Sequence, residues 1–123
     1  MRNFGIFLPC AVSSAELAAF GLGANGIPMG KSEQIFGEAP DAAYLCLAAE
    51  LSNGCFDDEE FERLQADLAF TPKAYVSIHM SSTKAAYDRA LEIAEAIRQR
   101  WGGRIDYSGA GGTISQQFQP PAG

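Results

Sequence analysis

Residues 74–80 read Ala74-Tyr75-Val76-Ser77-Ile78-His79-Met80, and this stretch decides how the chain folds. Its apolar positions alternate strictly with polar or amphipathic ones. The two sets of side chains are Val76, Ile78 and Met80 on one face and Tyr75, Ser77 and His79 on the other. Strict alternation over this length is typical of a half-buried β-strand. The stretch therefore predicts a strand.

Three helices are predicted around this strand. The first begins at Ser13, where Glu16 occupies the reciprocal position of a capping box, and it ends at the glycines of 21–26. The second begins at Asp57 and has acidic residues in its first turn, where the helix dipole favours them. The third, over about 83–101, carries an apolar stripe at helical spacing and ends at two glycines.

Four further strands are predicted over residues 3–9, 30–38, 43–51 and 104–108. Residues 43–51 are apolar on both faces, which indicates a central strand covered on each side. The resulting order, β-α-β-β-α-β-α-β, predicts an α+β fold. Its first six elements match a ferredoxin-like sheet, with an appended helix and a short edge strand. We expect one domain over 1–110 and a flexible tail over 111–123.

Composition narrows the classes of function. The 123 residues are 47% hydrophobic and carry a net charge of -6, so we expect one globular domain that binds neither nucleic acid nor membrane. The cysteines, Cys10, Cys46 and Cys55, are odd in number and lack metal-ligand spacing. Reduced thiols, no metal site and a cytoplasmic location are the expectation.

Two motifs allow an enzymatic or ligand-binding alternative. Residues 21–26 spell GxGxxG, but a helix precedes them and Ile27-Pro28 follows, so a glycine-rich helix end is expected and no cofactor. The single histidine, His79, shares a strand face with Ser77, and a cysteine beside it would form a nucleophilic pair. A lone histidine is more often structural. The alternative function is a small ligand-binding or enzymatic domain that uses the 21–26 loop or the His79 face.

Charge is distributed unevenly along the chain. Between Ser32 and Pro72 there are ten acidic residues and one basic residue, Arg63. Such a negative field accelerates encounter with a basic protein partner. The predicted partner-binding residues are Asn53, Phe56, Asp57, Asp58, Glu59 and Glu62.

The last third of the chain carries a family resemblance. Residues 90–97 read ALEIAEAI and residues 100–109 read RWGGRIDYSG. These runs resemble the closing segment of small cytosolic immunity proteins that neutralise bacterial polymorphic and type VI secretion toxins. The resemblance implies a non-enzymatic inhibitor that occludes a cognate toxin. The acidic surface implies that the active-site cleft of this toxin is basic.

Self-assembly into a homodimer through a sheet edge or the 104–108 strand is a third expectation.

Overall fold

The computed structural model of the protein describes residues 2–49 and 58–106. These residues form one sheet and three helices. In chain order the elements are β1 (Arg2–Leu8), α1 (Ser14–Gly23), β2 (Ile27–Met29), β3 (Glu33–Phe36), β4 (Ala43–Cys46), α2 (Asp58–Leu68), β5 (Ala74–Met80), α3 (Lys84–Trp101) and β6 (Arg104–Asp106).

The sheet has six strands in the order β2-β3-β4-β5-β1-β6, and every neighbouring pair is antiparallel. The longest pairing joins β1 to β5 over their full lengths, from Arg2 opposite Met80 to Leu8 opposite Ala74. Since β5 and β6 are both antiparallel to β1, they run parallel to each other, and α3 connects them across β1.

The α+β class is confirmed, whereas the ferredoxin-like topology is not. The structure contains a strand that the sequence did not predict, β2, and the predicted strand over 30–38 is shortened to Glu33–Phe36. The sequence indicates only a glycine-rich helix end over residues 21–26, followed by Ile27-Pro28. A proline is tolerated here because β2 is the edge strand, where the missing N–H faces no neighbour. The appended helix and short edge strand are present as α3 and β6.

One face of the sheet, here called the front face, holds the main core. Its side chains come from alternate positions of the strands, among them Ile6, Val76 and Ile78, and α1 and α3 pack on them. Alanines at 86, 90 and 94 let α3 lie close to the strands. The predicted capping box of α1 is confirmed, since Glu16 N donates to Ser13 Oγ at 3.1 Å and Ser13 N donates to Glu16 Oε1 at 3.2 Å.

The opposite face, here called the back face, is covered by α2 at one end only. Leu64 and Leu68 of α2 pack against Phe7 of β1 and Tyr75 of β5. At the C-terminal end of α2, Arg104 Nη1 donates a hydrogen bond to the Asp67 carbonyl oxygen at 2.8 Å. The sheet end formed by β1, β5 and β6 therefore has helices on both faces.

A glycine link joins α3 to β6. Gly102 ends the helix with a φ of 83°, and its N–H donates to the Arg98 carbonyl oxygen at 2.7 Å. Gly103 has a φ of 101°, and a Cβ atom there would overlap the backbone carbonyl oxygen of Phe7. Only glycine satisfies both constraints, because other residues are strained at this φ and the obstacle belongs to a buried strand.

Replacing Gly103 with alanine should lower the free energy of unfolding by about 2–3 kcal/mol, through backbone strain and displacement of β1. Gly23→Ala is the matched control, because a Cβ at Gly23 meets no atom within 4 Å. That control should leave stability unchanged or raise it by up to about 1 kcal/mol. Urea unfolding followed by circular dichroism measures both. Equal stability of the two variants would show that the α3–β6 link is not constrained in this way.

Candidate binding surface

The predicted acidic surface is helix α2. Asp58 is its first residue, and the side chains of Glu59 and Glu62 are exposed. The other three predicted contact residues, Asn53, Phe56 and Asp57, lie outside the described residues. The helix contains five acidic residues and one basic residue, so its formal charge is -4.

Helix α3 is nearly neutral by comparison. It contains four basic and three acidic residues, a formal charge of +1. Two of its bases are paired within the helix, Lys84 with Asp88 at 3.0 Å and Arg98 with Glu95 at 2.8 Å. Among the described side chains, neither Glu59 nor Glu62 forms an ion pair. Helix α2, which has the largest formal charge of the three described helices, thus lies on the back face, and α3 lies on the front face.

Beyond α2, the back face continues across β2, β3 and β4. We call this region the open half of the back face, and its side chains are Ile27, Met29, Glu33, Ile35, Tyr44, Cys46 and His79. The side chains from β3, β4 and β5 are half-buried, and no described element packs over them. The sequence predicts a strand covered on both faces over residues 43–51, and the back-face side chains of Tyr44 and Cys46 in β4 are half-buried. The described strand also ends at Cys46, and residues 50 and 51 lie outside the description.

Large apolar side chains are exposed at the β2 end. Ile27 is 62% exposed and Met29 is 43% exposed, and both belong to the open half. Leu22, at the end of α1, is 54% exposed but lies on a helix of the front face. In the described part of the chain these three are the exposed large hydrophobic residues. Clustered apolar side chains on a surface mark interaction sites more often than scattered ones do.

On the His79 face, no hydrogen bond joins His79 to a cysteine among the described residues. His79 Nε2 is 3.5 Å from Ser77 Oγ, at the outer limit of a hydrogen bond. Cys46 shares this face, whereas Cys10 lies on the other side, where its Sγ is 3.9 Å from the Trp101 carbonyl oxygen. Cys10 and Cys46 are both free. Within the described ranges, no three His, Cys, Asp or Glu side chains group as metal ligands.

The glycine segment 21–26 serves packing. Gly21 lies within α1, directly over Gln34, which is 1% exposed, and a Cβ at Gly21 would overlap its Oε1 atom. Gln34 Nε2 donates to the Ala18 carbonyl oxygen at 3.0 Å, and Gly26 N donates to the Gly21 carbonyl oxygen at 2.8 Å. The glycines thus allow α1 to lie on β3 and to turn into β2.

A groove that the sequence did not indicate lies between α1 and the end of α3. It encloses about 500 Å³, and its lining includes Glu16, Phe20, Arg100 and Trp101. The Phe20 and Trp101 rings meet edge to face with centroids 5.4 Å apart, and the Arg100 guanidinium lies 5.7 Å from the Trp101 ring. The groove is shallow and open to solvent, and the two aromatic rings meet only in the folded chain. No local pattern could have predicted it.

Among the described residues, Tyr75 has a pKa that the fold clearly raises. It lies on the back face beneath α2, with its ring 4.7 Å from that of Phe7. Burial, and secondarily the charge of Asp106, raises the pKa of Tyr75 from 10.0 to about 12. A phenol with this pKa keeps its proton at neutral pH, so Tyr75 is suited to packing and hydrogen bonding and not to general base catalysis.

No protein-family model, curated protein or solved structure matches the chain. Function is therefore inferred from the geometry and charge of its own residues. None of the three described helices is long and apolar enough to cross a membrane.

The raised pKa of Tyr75 predicts a loss of stability in alkaline solution. Between pH 10 and 12 the unfolded tyrosine releases its proton while the folded one retains it, so the unfolded state binds fewer protons and the free energy of unfolding falls. The contribution is complete below pH 10, and about 2–3 kcal/mol of it is lost by pH 12. Urea unfolding of the wild type and of Tyr75→Phe across this range measures it.

The Tyr75→Phe variant lacks the titrating group, so its stability should fall less between pH 10 and 12 than that of the wild type. Asp106→Asn should lower the pKa of Tyr75, since it removes the adjacent negative charge. Parallel stability curves for wild type and Tyr75→Phe would contradict the assignment.

Proposed function

We propose that this protein is a protein-binding inhibitor of the immunity-protein type, which occludes the basic active-site cleft of a cognate secreted toxin with helix α2. The observation that carries the proposal is the charge of -4 on α2, with exposed Glu59 and Glu62 that form no ion pair among the described residues. Two of the four bases of α3, in contrast, are paired within their own helix.

The way in which α2 is held suits this role. Leu64 and Leu68 fix one side of the helix to Phe7 and Tyr75, and Arg104 binds its last turn. The carboxylates of Glu59 and Glu62 are therefore carried on an anchored element, which reduces the entropy lost when a partner binds. Anchored carboxylates resemble the anionic substrate of a nuclease or a nucleotide-using toxin, whose cleft is basic. Their field also accelerates encounter.

The proposal includes a cytoplasmic location, as the resemblance of residues 90–109 to immunity proteins implies. It does not involve catalysis, a metal, a cofactor or nucleic acid. The toxin is expected to be encoded in the gene next to that of the protein, because genes for such pairs are commonly adjacent. The toxin domain from that neighbouring gene is the natural test partner.

Charge reversal on α2 should slow association with that toxin domain. At low salt, Glu62→Lys is expected to reduce the association rate constant roughly 10-fold, and the double variant Glu59→Lys/Glu62→Lys should reduce it further. The difference from wild type should shrink as salt rises, because screening weakens long-range attraction. Stopped-flow or surface plasmon resonance measures the rate constants, and thermal unfolding verifies that each variant is folded.

Glu92→Lys is the matched control, because it makes the same charge change at an exposed position of α3 on the front-face side. It should slow association much less than Glu62→Lys. Equal effects of the two single variants would mean that only net charge matters, and unchanged rates for both would remove α2 from the contact surface.

A further inference from the structure

We infer that the open half of the back face is the apolar part of the docking surface, and that the partner contributes an extended basic segment in which apolar side chains alternate with lysine or arginine. This inference rests on the proposed function and extends it from α2 to a second, adjoining surface.

The open half adjoins α2 on the back face of the sheet. Helix α2 and the open half lie on the same face of one sheet, with α2 over β1 and β5 and the open half over β2, β3 and β4. A partner that contacts α2 and extends along the back face would therefore contact the open half as well.

The open half consists mainly of large side chains aligned across neighbouring strands. Back-face side chains align across four strands, since Ile27 pairs with Ile35, Ile35 with Tyr44 and Tyr44 with His79. In β3 and β4 the front-face neighbours of these side chains are fully buried, whereas the back-face ones are only half-buried. The strands thus present a mainly apolar row of Ile27, Ile35, Tyr44 and His79 that is partly open to solvent and ends in the exposed side chains of Ile27 and Met29.

The charge around the open half favours a basic partner segment. Glu33 lies within the open half, opposite Met29 and Cys46. The exposed Glu38 follows in the next turn. Lys31 is the only base between residues 27 and 62. An apolar row bordered by acids matches a segment that alternates apolar and basic side chains. A second copy of this chain would bring the same acids together and be repelled.

The edge of the sheet also argues against a second copy. A paired strand needs a row of free N–H and C=O groups, and β2 is only three residues long with a proline at its centre. A partner strand therefore finds few backbone groups to pair with at this edge. A partner would contact the side chains of the face and not the backbone of the edge.

The test uses the full chain and a synthetic nine-residue peptide that alternates lysine with valine. Methyl and amide NMR signals are followed during titration at physiological salt. The expected result is saturable binding with shifts at Ile27, Met29, Ile35 and Tyr44. Two control peptides, one alternating lysine with serine and one alternating glutamate with valine, should bind at least 10-fold more weakly, because each lacks one of the two required properties.

The variant Ile27→Ser/Met29→Ser should weaken binding of the lysine–valine peptide at least 10-fold without lowering the melting temperature appreciably, since both side chains are exposed. Leu22→Ser is the matched control, because it removes an equally exposed apolar side chain outside the open half, and it should leave binding unchanged. Equal binding of the lysine–serine peptide, shifts confined to other surfaces, or no binding at all would overturn the inference.

The same variants separate this inference from the proposed function. If the toxin domain binds and responds to Glu62→Lys but Ile27→Ser/Met29→Ser leaves its dissociation rate unchanged, the inference fails and the proposed function stands. If the peptide binds the open half as described but the toxin domain does not bind the protein, the proposed function fails.

Discussion

The pairing of β1 with β5 is the constraint on which the rest of the structure depends. It aligns the two longest strands over their full lengths, from Arg2 opposite Met80 to Leu8 opposite Ala74. Since side chains alternate along a strand, this register sends Ile6, Val76 and Ile78 to the front face and Phe7 and Tyr75 to the back face. A shift of one residue would exchange the two sets and expose the core.

This register also determines where the helices can bind. The front face is largely apolar, with Gln34 as a buried polar side chain beneath α1, and α1 and α3 cover it. The back face offers a compact apolar site only at Phe7 and Tyr75, and α2 binds there through Leu64 and Leu68. The remaining back face is amphipathic. The acidic helix α2 and the open half beside it are therefore two consequences of one arrangement. Together they have the composition of a protein-binding surface.

Much of the fold could be predicted from local sequence, because its signals are local. The alternation of residues 74–80, the capping box of Ser13 and Glu16, and the glycines after Trp101 each specify one element or boundary. Strand β2 could not be predicted, since Pro28 is acceptable only at a sheet edge, and the position of an edge depends on distant strands. The strand order depends on long-range pairing for the same reason.

The candidate surface was predictable in part. Its acidic helix is visible in the sequence as a run of acidic residues, whereas no local sequence pattern indicates the open half. Ile35 and Tyr44 are residue types that usually lie in a core, and only the placement of three helices on the sheet leaves them half-buried.

The exposure of Ile27 and Met29 at the β2 end of the back face makes this surface available to a partner. Methyl NMR with a soluble paramagnetic agent tests it most directly, because relaxation enhancement reports the distance of each methyl group from solvent. The methyl groups of Ile27 and Met29 should relax strongly, and those of Ile78 and Ile97, which are fully buried, should be protected. Protection of Ile27 and Met29 to the level of Ile78 would mean that another part of the chain covers this surface, and would contradict the claim.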